Sequence, residues 1–131
     1  MDILERLIVE IINEQDYDLP VVSPILLEEN SVAVMGISTN DNRLYYDGSK
    51  EQSFTFQVLV RHEVQFEAYR TLLHIANLLL NKKDVRSSHS YDFMQMRMAE
   101  EPKRLVKAED YYIFAAQFSA EFYIRGVDID G

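Results

Sequence analysis

Tyr112, Phe114, Ala116, Phe118, Ala120, Phe122 and Ile124 occupy every second position of one continuous segment. Strand side chains alternate between two faces, whereas the same positions wound on a helix would point in every direction, so the spacing predicts a strand with one strongly apolar face. Its length reaches or exceeds the upper end of the usual strand range of about 3 to 10 residues. A face of that kind has to be covered by a second layer, and the rest of the chain is read for what supplies it.

The stretch SFTFQVLVRHEVQFEAYRTLLHIANLLL, from Ser53 to Leu80, changes period midway. Phe54, Phe56, Val58 and Val60 alternate with Thr55, Gln57, Leu59 and Arg61, which predicts a second strand with an apolar face, ended by His62 and Glu63. From Phe66 the period is helical. Phe66, Tyr69, Leu72, Leu73, Ala76, Leu79 and Leu80 fall on one face, and Glu67, Arg70, His74, Asn77 and Asn81 lie mostly off it. This helix is expected to lie on the sheet, with Phe56 and Leu73 meeting in the core.

Asp2 with Glu5 three residues on can form a capping pair, and Ile3, Leu4, Leu7, Ile8, Ile11 and Ile12 repeat at helical spacing, predicting a first helix over about 3–14. Residues 15–30 carry Pro20 and Pro24 among polar residues and read as a loop with a short extended piece. Ser31 to Ser38 is apolar in both phases and reads as a central strand. Residues 39–52 are polar apart from Leu44, Tyr45 and Tyr46 and are expected to form a flexible loop or arm, hairpin-like at the Asp47-Gly48 turn.

SYDFMQMRM alternates again, but its apolar phase slips from Tyr91 and Phe93 to Met94, Met96 and Met98, which predicts a bulge. Glu101-Pro102 and the charged run after it are expected to break the pattern, and residues 125–131 to form an acidic C-terminal tail. The fold class that follows is α+β: a mixed, mostly antiparallel sheet of about four to five strands with two helices packed on one face, in a single domain spanning 1–131.

The chemistry-bearing residues are sparse. The 131 residues include no cysteine, which removes disulfides, thiolate metal sites and cysteine nucleophiles, and fits an intracellular setting. His62, His74 and His89 share no spacing that would put two imidazoles on one metal. The strand-to-helix joint Arg61-His62-Glu63-Val64-Gln65 lacks the glycines of a phosphate cradle. No catalytic group, cofactor or metal is therefore expected, and the chain is not read as an enzyme. Thirteen basic against twenty-two acidic residues give a net charge of −9, unfavourable for phosphate backbones and anionic lipid, so neither specific nucleic-acid binding nor membrane association is expected. The longest apolar run near the start, Leu7-Ile8-Val9, is too short for a signal-peptide core or a membrane span.

Assembly is the remaining expectation. The strand at 31–38 is apolar on both faces, and the last strand has Tyr111, Ile113, Ala115 and Tyr123 on its second phase, yet two helices cover one face only. Tyr45, Tyr46 and Asp47 in the polar loop, with Tyr111 and Ile113, are the candidate interface residues. Tyr45 and Tyr46 either anchor a partner or fold back on the domain. The Met94, Met96, Met98 stripe either fills the core or offers an adaptable binding surface.

These segments carry a family likeness. RLYYDGSKEQSFTFQVLVRHEVQFEAYRTLLHIANLLL, then SYDFMQMRMAEEPKRLV and YYIFAAQFSAEFYI, resemble the minor capsid or tail-completion proteins of long-tailed bacteriophages, which are similar in fold to tail terminators. The parts are the loop Tyr46, Asp47, Gly48, Ser49, the strand Phe56, Gln57, Val58 ending at Arg61, an amphipathic helix, and the Glu101-Pro102 turn before a long aromatic strand. The resemblance implies a structural virion subunit without turnover, assembled in the bacterial host cytoplasm. Copies of it would form a ring, often a hexamer, at the head-proximal end of the tail and meet tail-tube and head-connector proteins. The competing reading is an acidic soluble binding module, immunity or antitoxin-like, that neutralises a basic partner.

Overall fold

A computed structural model describes residues 3–13, 19–23, 25–81 and 91–124. In chain order these form α1 (Ile3–Asn13), β1 (Val21–Val22), β2 (Ser31–Leu44), β3 (Lys50–His62), α2 (Gln65–Asn81), β4 (Tyr91–Lys107) and β5 (Tyr112–Ile124). The strands make one five-stranded sheet in the order β1-β2-β3-β5-β4. β1 runs parallel to β2, and every other neighbouring pair is antiparallel. The α+β class read from the sequence is the class observed, with both helices on one face. His89 and the tail at 125–131 lie outside the described residues.

The alternation in β5 is what organises the core. Phe114, Ala116, Phe118, Ala120 and Phe122 face the same side as Phe54, Phe56, Val58 and Val60 of β3 and Val32 and Val34 of β2. Two of the opposite pairs set large against small, Phe54 beside Ala120 and Val58 beside Ala116, and between them Phe56 faces Phe118. Large–small pairing lets layers interdigitate without voids or clashes. Ile8, Ile11 and Ile12 of α1 and Ala68, Leu72, Ile75, Ala76 and Leu79 of α2 close the layer.

Those α2 positions follow an i, i+4, i+7, i+8, i+11 series, a proper helical stripe, but it is rotated from the one expected. Leu73 does not meet Phe56: it is 37% exposed, while its neighbour Leu72 is fully buried. Ten apolar residues in seventeen leave more than one apolar arc, and the arc that joins the buried cluster is the one containing the small Ala68 and Ala76, which suit close approach to the sheet.

The segment expected to be a loop at 39–52 is mostly paired strand. β2 runs on to Leu44 and β3 starts at Lys50, with Thr39 beside Phe54 and Asn40 beside Ser53. Pairing overrides polarity here because the antiparallel ladder satisfies backbone groups whatever the side chains. Nor is β2 central: it is second from one edge, and β1 reaches only Val32 and Ala33.

β4 also runs through the expected break at Glu101-Pro102. Its seventeen residues face the thirteen of β5, and the difference is taken up by four register shifts, one of them bracketing Glu101 and Pro102. Proline is tolerated there because β4 is an edge strand in this sheet, where a missing N–H on the outer side costs no ladder bond. The phase slip near Phe93 is the first of the four.

The second face is less apolar than its sequence suggests. Ser53, Glu121 and Gln95 stand in register across three strands, as do Thr55, Ser119 and Arg97, and Gln57, Gln117 and Glu100. Gln95 Nε2 donates to Glu121 Oε2 at 2.6 Å, and Arg97 lies 3.4 Å from the same carboxylate. Apolar residues of this face concentrate towards one end, in the row Ala33, Leu59, Ala115 and in Ile113 and Val106 beside it, with Met35 next to Gln57 and Tyr123 next to Glu51 further along.

Candidate interface

The structure divides the candidate residues between the two ends of the sheet. Tyr45, Tyr46 and Asp47 sit at the tip of the β2–β3 hairpin, whereas Tyr111 and Ile113 lie where β3 ends and β5 begins. β3 separates the groups by roughly 40 Å at about 3.3 Å per residue.

At the tip the backbone closes a three-residue connection. Tyr45 N donates to Ser49 O at 2.9 Å, and Gly48 N donates to Tyr45 O at 3.1 Å. Gly48 has φ 86°, the left-handed region where glycine carries no Cβ penalty. This is a β-turn followed by a glycine bulge, the geometry that fits the twist of flanking strands. Ser49 N donates to Asp47 Oδ1 at 3.0 Å, and Ser49 Oγ donates to the same oxygen. These bonds, the hydroxyl one foremost, hold the Asp47 carboxyl below its ordinary value of 3.8.

The two tyrosines diverge. Tyr45 folds back: its hydroxyl donates to Glu51 Oε1 at 3.0 Å, and its ring lies 6.1 Å from that of Tyr123. Tyr46 stands clear of the molecule, fully exposed, and Leu44, two residues before it, is 70% exposed. The methionines divide as well: Met96 and Met98 pack on the core, and Met94, between the register partners Phe93 and Gln95, faces out.

At the other end the joint is tied down on both sides. Val64 N donates to His62 Nδ1 at 3.0 Å at the start of α2, and Glu63 N donates to Asn30 Oδ1 at 3.0 Å, linking the loop before β2 to the end of β3. His62 thus satisfies a backbone donor before the helix, a capping role its position at the period change could have signalled. The Arg61 guanidinium lies 3.9 Å from the centroid of the Tyr111 ring, a cation–π arrangement. Glu28, Glu29, Glu63 and Asp110 surround this pair in a cleft of about 320 Å³. Among the described residues, no three His, Asp or Glu side chains converge on a point that could hold a metal, and no helix is long and apolar enough to cross a membrane.

The outer arc of α2 forms a further surface. Because α2 is rotated, Phe66, Tyr69 and Leu73 face outward, at 66%, 40% and 37% exposure. Tyr69 tilts over Phe114 with 5.5 Å between centroids. Gln65, Phe66, Tyr69 and Phe114 frame an apolar recess of about 320 Å³, and Arg104 Nη1 donates to Gln65 Oε1 at 2.6 Å on its rim. The signal for it was the surplus of apolar residues on the helix.

The architecture thus defines an α+β protein with two helices on one face of a mixed, mostly antiparallel sheet and with polar and aromatic surfaces at both ends. It is similar to a chain of a solved structure described as the virion of native gene transfer agent (GTA) particle, with a TM-score of 0.56 and 13% identity over 91% of this chain and 84% of that one. At that identity the likeness is one of fold. No family model matches the chain, and no curated protein is matched.

Proposed function

We propose that this chain is a structural virion protein of a tailed bacteriophage or related particle: a minor capsid or tail-terminator subunit that joins copies of itself in a ring at the head-proximal end of the tail. The observation that carries the reading is the fold shared over most of both chains with a component of a virion. The residue patterns that resemble tail-completion proteins support it independently. On this reading the protein works by shape, without turnover or cofactor. It is built into the particle in the host cytoplasm, between tail-tube and head-connector proteins. Deleting the gene from a producing strain should leave heads and tails unjoined or tails of irregular length, restored by the gene in trans. Normal particles without it would overturn the proposal.

The acidic cleft around Arg61 favours one second reading, a soluble module that neutralises a basic partner. Neighbouring genes separate the two, virion proteins supporting the first and a toxin or nuclease the second.

A further inference from the structure

Two features at opposite ends of the sheet match each other in shape and charge. At one end Tyr46 projects fully into solvent from a hydrogen-bonded turn, followed at once by the ionised Asp47. At the other, three aromatic rings frame a recess beside the Arg104 guanidinium, which its bond to Gln65 holds at the rim. Within one chain the two cannot meet, because roughly 40 Å of β3 lies between them.

We propose that Tyr46 of one copy enters the recess framed by Phe66, Tyr69 and Phe114 of a second copy, with Asp47 set against Arg104. The proposal rests on the self-assembly reading above and names its contact. A projecting tyrosine suits the role because it buries a large area while few rotatable bonds are fixed, and edge-to-face packing against the ring walls adds directionality. Asp47 supplies a charge opposite to that of Arg104, which fixes register more than affinity. A contact between different patches of identical subunits is head-to-tail. It leaves a free tip and a free recess on every dimer, so it propagates, and closes into a ring where the rotation between copies allows.

The test places the photoreactive residue p-azidophenylalanine at position 46, preserving an aromatic tip, and irradiates the concentrated protein and particles purified from a producing strain. Cross-links to the peptide spanning 62–70 or to that containing Phe114 are expected in a second copy. In sedimentation velocity, Tyr46→Ala should weaken self-association at least about tenfold, the loss typical of a central anchor. Asp47→Arg and Arg104→Asp should each weaken it, and an equimolar mixture of the two variants should regain it, since tip and recess are then of opposite charge only between unlike chains. Association of the wild type with cross-links elsewhere, or no recovery on mixing, overturns this contact and leaves the assembly reading intact. Absence of the chain from particles together with a monomer at every concentration overturns both.

Discussion

Phe56 of β3 and Phe118 of β5 stand directly opposite each other, fully buried, with ring centroids 5.6 Å apart and 23° between their planes. Phe54 continues the stack at 5.4 Å from Phe56. The stack fixes the strand register, because a slip of one residue would turn every core side chain of a strand outward. Phe118→Ala should cost about 3 to 5 kcal/mol in urea denaturation, and Phe56→Ala a similar amount. The double variant should lose measurably less than the sum, since each single change already removes the shared contact. Strict additivity would mean that the two rings contribute separately.

Leu72 and Leu73 are adjacent and chemically identical, but only Leu72 is buried. Leu72→Ala should therefore destabilise the fold by about 2 to 5 kcal/mol, and Leu73→Ala by under about 1 kcal/mol. The reverse order in thermal or chemical melts would show α2 turned the other way on the sheet.

At the hairpin tip Gly48 has φ 86°. A side chain there meets the preceding peptide, so Gly48→Ala should cost roughly 1 to 2 kcal/mol, while Gly48→Asn, which tolerates this region, should cost less. Equal stability of all three proteins would argue that the turn relaxes without glycine.

Asp47 gives the tip a pH dependence of known sign. Its folded-state pKa lies below the ordinary 3.8, held there by the Ser49 hydroxyl and then by the Ser49 N–H. A depressed carboxyl contributes order that is complete above its unfolded value and is lost as pH falls through its folded value. The Ser49 amide resonance should move with an apparent pKa below 3.8, and in Asp47→Asn that transition should vanish. A Ser49 transition above 3.8 would assign the amide to another group.

The elements legible in the sequence were those with an unambiguous period. β5 needed nothing but its parity, and the joint at His62 was visible as a change of period. Where the sequence misled, a long-range term outweighed a local one. The backbone ladder carried β2 as far as Leu44 through polar residues, and the fit of Ala68 and Ala76 to the sheet chose between two apolar arcs of α2. Of the candidate interface, the Asp47-Gly48 turn was readable because turn chemistry is local. The fate of Tyr45 was not, since it depends on Glu51 and Tyr123, which only the fold brings near. The recess at Phe66 joins residues nearly fifty positions apart in the chain.

The four surplus residues of β4 bear on how this protein would diverge. A strand that already absorbs extra residues at several places can take or lose another one by moving a bulge, at little cost to its partner. β5, wedged between β3 and β4 with one side sealed against the helices, has no such freedom. Related chains should therefore keep a constant length and parity in β5 while β4 grows and shrinks by single residues. Their kinship would then be legible in the rhythm of one strand and scrambled in its neighbour.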